Sequence, residues 1–302
     1  MKDKTAGLFL LTRQNDYQRL QETAAVAMAQ HLKLPLEVHL AENDARVQAQ
    51  AVYAFIHAHP AGSAVLIEPV NDSAVEQAAR HAALAGMGWI LLNRTNGYLH
   101  ALRLEFPSLP IGAVTADQKE IGRIQGKQFE ALLRGKGTVL YVCGPAGASA
   151  ATDRLAGMRE VIDTTSIRHV AIFGDWTEQG AEKAVSSWLK GTGANTPIQL
   201  VGCQNDAMAA GALRALASAA ILDRPGLAQT PVTGVDGNPQ FGVELVDRKR
   251  IAATVVMPPV AGQAVELVHG AWHKPDFSVP LVMRLPVRSY PEIGSVTLRA
   301  AR

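Results

Sequence analysis

Short apolar, β-branched runs alternate with longer segments of helical spacing along almost the whole chain, and a layered α/β fold is what absorbs such a pattern. In the first half the spacing predicts strands over Ala6–Thr12, Pro35–Leu40, Ala64–Glu68 and Gly88–Leu92. Helices are predicted between them over Asp16–Leu32, Ala45–His57 and Asp72–Leu84. The first helix shows apolar positions Leu20, Ala24, Ala27, Met28 and Leu32. Thr95–Pro110 reads as irregular; a strand returns at Ile111–Thr115 and a helix at Gln118–Leu133. The short βα connections imply a doubly wound parallel sheet.

After Gly135-Lys136-Gly137 the alternation restarts, with strands over Thr138–Cys143, His169–Phe173, Ile198–Cys203, Val232–Val235 and Ile251–Val256. Helices follow over Ala150–Ile162, Glu178–Lys190, Ala207–Ala219, Pro239–Asp247 and Val260–Trp272. The halves repeat in pattern and not in residue identity, which predicts two similar α/β lobes and not a solenoid. Candidate crossings between them are Ala113–Asp117 and Val255–Pro259, where a Pro-Pro pair stops a strand. The expected lobes are 1–115 with 258–283, and 116–257 with 284–302. The tail from Leu281 has strand-like VMRLPV and then loses pattern.

One stretch concentrates the chemistry. Thr138–Cys143 is a buried-strand run, Gly144-Pro-Ala-Gly147 breaks it, Ser149 offers a helix cap, and Arg154 lies one turn into the helix. A strand, a small-residue loop and a helix start aim polar groups at a ligand from the carboxyl edge of a parallel sheet. A guanidinium presents a rigid fork of donors suited to vicinal hydroxyls or a carboxylate. The alternative is a surface arginine on an ordinary connection.

Composition excludes several classes. With 48% hydrophobic and 19% charged residues and a net charge of +2, nothing suggests disorder or a nucleic-acid surface. Cys143 and Cys203 end apolar runs, where buried free thiols are expected, although the sequence leaves their pairing open. No apolar stretch reaches membrane-spanning length, and no leader is expected ahead of the first strand. There is no GxSxG, HExxH or GxxxxGK[ST], no GxGxxG follows the first strand, and the histidines are scattered. An enzyme, a metal site and a cofactor are therefore not expected.

The remaining polar candidates share one place, the carboxyl ends of predicted strands. Asn15 and Tyr17 follow the first strand and Arg94 the fourth; Arg154, Asp175-Trp176, Asn205-Asp206 and Asp236-Gly237-Asn238 follow strands of the second half. Together they offer paired donors and acceptors to neighbouring hydroxyls, with Trp or Tyr to cover an apolar ring face. Each has a local alternative: Asn205 or Asp206 can cap the next helix, Asp236-Gly237 is good turn chemistry, and Trp176 can be a packing residue.

Several ordered segments resemble the type I periplasmic sugar-binding proteins, the ribose-binding protein family. GPAGASAATDRLAGM is similar to that family's G-x-x-G-x-S-A-A-x-x-R-x-x-G-[FM] segment, CQNDAMAAGALRAL to its N-D-x-M-A-x-G-A helix start, and VTGVDGNPQ to its D-G-x-P turn. IEPVNDSAVEQAARHAALAGMGWILLNR resembles the stretch leading to a strand that ends in Asp-Arg, and VTADQKEIGRIQGKQF the first crossover between lobes.

The resemblance implies the type I periplasmic binding protein fold, with two doubly wound parallel-sheet lobes joined by a three-crossing hinge that closes on a ligand. It implies ligand contacts from Asn15, Tyr17, Arg94, Arg154, Asn205 and Asp236, with Trp176 stacking on the sugar. It further implies a monomer in the periplasm, or in the cytoplasm if no leader existed, that delivers a sugar-like small molecule to a membrane permease or a sensor. The same fold also serves as the ligand-sensing domain of receptor kinases and transcription regulators, the alternative role; the residues before Gly7 leave no room for a helix-turn-helix. Two departures argue against ribose: Asn93 stands where the family often has Asp, and Met257 where ribose binders have Gln. Fewer acids facing two arginines would suit a less hydroxylated or partly anionic ligand.

Overall fold

The computed structural model describes residues 4–71, 75–222, 224–274 and 276–297. The chain divides into two compact units, Met1–Ala116 with Pro259–Leu285, and Asp117–Pro258 with Pro286–Arg302. It therefore passes between them three times, at Ala116–Asp117, Pro258–Pro259 and Leu285–Pro286.

The first unit holds β1 (Ala6–Leu10), α1 (Asp16–Leu32), β2 (Leu36–Leu40), α2 (Ala45–Ala58), β3 (Ala64–Ile67), α3 (Val75–Leu84), β4 (Gly88–Leu92), α4 (Tyr98–Glu105) and β5 (Ile111–Ala116). The second unit holds α5 (Gln118–Leu133), β6 (Lys136–Cys143), α6 (Ser149–Ile162), β7 (Ser166–Phe173), α7 (Glu178–Lys190), β8 (Leu200–Cys203), α8 (Asp206–Leu222), β9 (Val232–Asp236), α9 (Glu244–Asp247) and β10 (Ala253–Val256). The chain then returns α10 (Ala261–His273) and β11 (Val282–Leu285) to the first unit and adds β12 (Arg288–Tyr290) to the second.

Both sheets have the same order. The first runs β11-β5-β4-β3-β1-β2, parallel throughout, and the second β12-β10-β9-β8-β6-β7, parallel except for β12. Helices cover both faces of each, so the strands read as continuous apolar runs. Alternate strand residues serve opposite cores. Phe9, Val65, Ile67, Trp89 and Leu91 pack with α2, α3 and α4, while Leu8, Leu10, Leu66, Ile90 and Leu92 pack with α1 and α10. In the second unit Leu140, Val142, Val201 and Cys203 face α7 and α8, and Val139, Tyr141, Cys143 and Leu200 face α5 and α6.

That alternation settles the cysteines. Cys143 and Cys203 lie in cores on opposite faces of their sheet, and both are free and buried. Burial pushes the Cys143 thiol up to about 12 and raises Cys203 well above its usual value. The thiolate is the nucleophile, so the native protein should react with an aromatic disulfide reagent at least about a hundredfold more slowly than the unfolded chain. Absorbance at 412 nm checks this, with the denatured control releasing two equivalents from the two cysteines.

The structure departs from the sequence-based expectation at several elements. Thr95–Pro110 is not wholly irregular: α4 lies within it, with only Tyr98, Leu99 and Leu102 buried. The third expected helix, Asp72–Leu84, is described from Val75 onward, residues 72–74 lying outside the described residues. α6 begins at Ser149 after Ala148, which gives no side-chain cap, so Ser149 is the first helical residue and not its cap. Pro239–Asp247 is a short π-helix over Pro239–Val243 followed by the single turn of α9. In α1 the deeply buried face is Tyr17, Gln18, Gln21, Ala25 and Ala29 rather than the aliphatic positions expected, because the two glutamine amides are hydrogen-bonded inside the lobe.

Candidate ligand-binding site

In the first unit the polar groups gather at the carboxyl ends of β1, β3 and β4. Asn15 caps α1, its Oδ1 accepting from the backbone N–H of Tyr17 (2.8 Å) and Gln18 (3.3 Å). Tyr17 is buried and donates its hydroxyl to Asn93 Oδ1 at 3.1 Å, while accepting from Gln21 Nε2 at 3.1 Å. Asn93 follows β4 in the left-handed region (φ 57°), and Arg94 comes next, also buried.

The sequence reading missed Glu68, the buried acid directly after β3. Its Oε2 accepts from Gln18 Nε2 (2.9 Å) and from Asn93 Nδ2 (3.0 Å). An aspartate at 93 would set a second carboxylate about 3 Å from the first, and two such groups cannot both ionise cheaply. The amide at 93 is thus the partner that an acid at 68 requires. The first lobe has not lost its carboxylate; it stands at 68.

In the second unit Arg154 is 4% exposed and held from several sides. Nε donates to Gln118 Oε1 at 2.8 Å, Nη1 to the Gln204 carbonyl, and Nη2 to Met257 Sδ at 3.5 Å. Its guanidinium carbon lies 5.5 Å from the centroid of the Trp176 ring. A guanidinium over an indole is a cation–π pair. Arg154 is therefore no surface arginine.

Trp176 is half-buried in a left-handed conformation (φ 69°), which a bulky residue adopts only when its surroundings hold it there. Three contacts do so. Asn205 Nδ2 donates to the Trp176 carbonyl at 3.0 Å. Asp175 Oδ1 accepts from the Thr177 N–H (3.0 Å) and hydroxyl (2.6 Å), stiffening the loop. The indole also lies on Gly144, where an added Cβ would come within 2.1 Å of Cζ2. Only glycine fits under that ring.

Asn205 is the residue that caps α8, Oδ1 accepting from Met208 N–H at 2.8 Å. Both polar atoms of its side chain thus have protein partners, and holding Trp176 is the role its geometry supports. Asp206 does different work. Buried at 1% exposure, it accepts from the Gly237 N–H (2.8 Å) and the Thr254 hydroxyl (2.7 Å), tying down the turn that follows β9. Asp236 at the head of that turn has φ 106°, a strained value for a non-glycine residue, and its carbonyl accepts from Met257 N–H at 3.0 Å. Met257 consequently joins Asp236 to Arg154, so Arg154, Trp176, Asn205 and Asp236 form one connected set.

Each lobe thus presents a polar cluster on the carboxyl edge of a parallel sheet. A family model described as a periplasmic binding protein domain matches residues 6–272. The chain belongs to this family.

Members of the periplasmic binding protein family are binding proteins and not enzymes. Among them, this chain is 25% identical to the galactofuranose-binding protein YtfQ of Escherichia coli (strain K12), over 91% of this chain and 84% of the relative. It is 30% identical to the ribose import binding protein RbsB of Salmonella typhimurium, over 67% of this chain and 63% of that one. Among solved structures it is similar in fold to the periplasmic binding protein component of the arabinose ABC transporter from Shewanella sp. ANA-3, bound to α- and β-L-arabinofuranose. The TM-score is 0.81 at 22% identity, covering 97% of this chain and 94% of the other. Among the described residues no helix is long and apolar enough to cross a membrane, and no three potential metal ligands cluster.

Proposed function

We propose that this periplasmic binding protein captures a neutral, monosaccharide-like molecule with its carboxyl-edge groups and delivers it to an ABC-type permease. The observation that carries the reading is the Arg154–Trp176 pair: a buried guanidinium fork for vicinal hydroxyls, set against an aromatic face that covers an apolar ring surface. Asn15, Tyr17 and Arg94 act for the first lobe, and Asp236 adds an acceptor in the second.

Neutrality follows from the charges. The buried charged groups on these two sheet edges are two arginines, Arg94 and Arg154, and three carboxylates, Glu68, Asp206 and Asp236. An anionic ligand would leave a surplus of negative charge in a desolvated place. Similarity to transport components favours uptake over the regulator and receptor-kinase readings, and the periplasm is where such capture would occur.

A thermal-shift screen of the purified chain against pentoses, hexoses, polyols and sugar acids tests this. Binding to the native state alone stabilises it by about 2.7 kcal/mol when ligand stands at a hundred times Kd, so a hit raises the melting point by several degrees. The expected hits are neutral sugars. A hit confined to sugar acids would overturn the charge argument, and silence across the panel would overturn sugar capture.

A further inference from the structure

We propose that Gln204 is the positioning residue that locks Trp176 and Arg154 into a single preorganised unit. Gln204 directly follows β8 and is fully buried. Its side chain spans the loop between β6 and α6: Oε1 accepts from the Gly144 N–H at 2.9 Å, and Nε2 donates to the Ala151 carbonyl at 2.9 Å. Its backbone is engaged as well, the N–H donating to the Val142 carbonyl at 3.0 Å and the carbonyl accepting from Arg154 Nη1.

Those contacts reach both halves of the pair. Gly144 is the floor beneath the Trp176 indole, and its amide is pinned by Gln204 Oε1. Arg154 takes one arm of its fork from the Gln204 carbonyl, while the start of its own helix is pinned by Gln204 Nε2. The Nε2 bond to the Ala151 carbonyl reaches the first turn of α6 from another strand of the sheet. Asn205, the next residue, fixes the Trp176 carbonyl. One dipeptide therefore sets the ring from below and behind and the guanidinium from the side. A site preorganised this way binds without first ordering its own groups.

This role rests on the reading of Arg154 and Trp176 as ligand groups, but its test does not need a ligand. The protein is labelled with 5-fluorotryptophan, giving one fluorine line for each of its four tryptophans, and W176F assigns the line of Trp176. In Q204M, which keeps the bulk and removes both hydrogen bonds, the Trp176 line should shift and broaden while those of Trp89, Trp188 and Trp272 stay. A purely packing role would lower the melting point and leave the Trp176 line of the folded protein in place, which would overturn the proposal. Should Q204M fail to fold, Q204N, too short to bridge Gly144 and Ala151, is read in the same way. Amide exchange in the unmodified protein is a second arm: the Gly144 N–H should be strongly protected, and exchange at the rate of an open loop would overturn the bridge. With D-galactose, L-arabinose and D-ribose as probes, any that binds the parent protein should bind Q204M about tenfold more weakly. A shifted Trp176 line with unchanged sugar affinity would keep the positioning and sink the ligand role of the pair.

Discussion

Arg154→Ala should weaken sugar binding by about tenfold to a hundredfold or more, the loss of about 1.5–3 kcal/mol that charge-assisted hydrogen bonds contribute. The guanidinium is buried, and Gln118 Oε1, the Gln204 carbonyl and Met257 Sδ all take hydrogen bonds from it. Alanine strands those acceptors, so the variant also loses stability. Arg154→Lys separates the two effects. Lysine keeps the charge and much of the packing stem but has no planar fork, and it cannot face Gln118, Gln204 and a ligand together. Calorimetric titration with the sugar that gives the largest thermal shift should find both variants weakened, with Arg154→Lys melting closer to the parent protein. Unchanged affinity in either would remove Arg154 from the site.

The same residue shows what a sequence can and cannot reveal. Its place one turn into a helix after a strand and a small-residue loop was readable from spacing, because β6 and α6 carry clean apolar periods. Its partners were not, since Gln204 and Met257 lie 50 and 103 residues further along. Glu68 was invisible for a related reason: a single acid after an apolar run has no spacing signal, and its meaning comes from Gln18 and Asn93, brought in by other elements. Asn205 was legible as either cap or contact, and the geometry makes it a cap that also holds Trp176.

Element existence followed periodicity where segments were long. α1, α5 and α7 span the expected residues, whereas α4, with three inward residues between Gly97 and Pro107, was too short to show a period. β12 is a three-residue antiparallel edge, and β7 begins before its apolar run because Ser166 and Arg168 are exposed on an edge strand.

The close approach of α5 and α6 leads to the second large effect. A Cβ on Gly157 would fall 1.9 Å from the Lys119 carbonyl oxygen and 3.1 Å from the Arg123 nitrogen, and a Cβ on Gly122 would fall 2.1 Å from the Arg154 carbonyl oxygen. These neighbours are backbone atoms, so they yield only if the helices separate. Gly157→Ala gains up to about 1 kcal/mol of helix propensity. Overpacking opposes it by about 1–3 kcal/mol or more, and with rigid backbone on the other side the larger figure decides. The variant should therefore melt several degrees below the parent protein, at about 2–4 °C per kcal/mol. Affinity should fall with it, because the 2.8 Å bond from Arg154 on α6 to Gln118 on α5 depends on the same separation. Gly226→Ala is the control: no atom lies within 4 Å of its added Cβ, and its stability should change by less than about 0.5 kcal/mol. Parallel calorimetric melts and sugar titrations decide the matter. If Gly157→Ala loses stability and keeps full affinity, the α5–α6 contact supports the lobe without setting the guanidinium; if both fall together, the backbone contact between these helices is what aims Arg154.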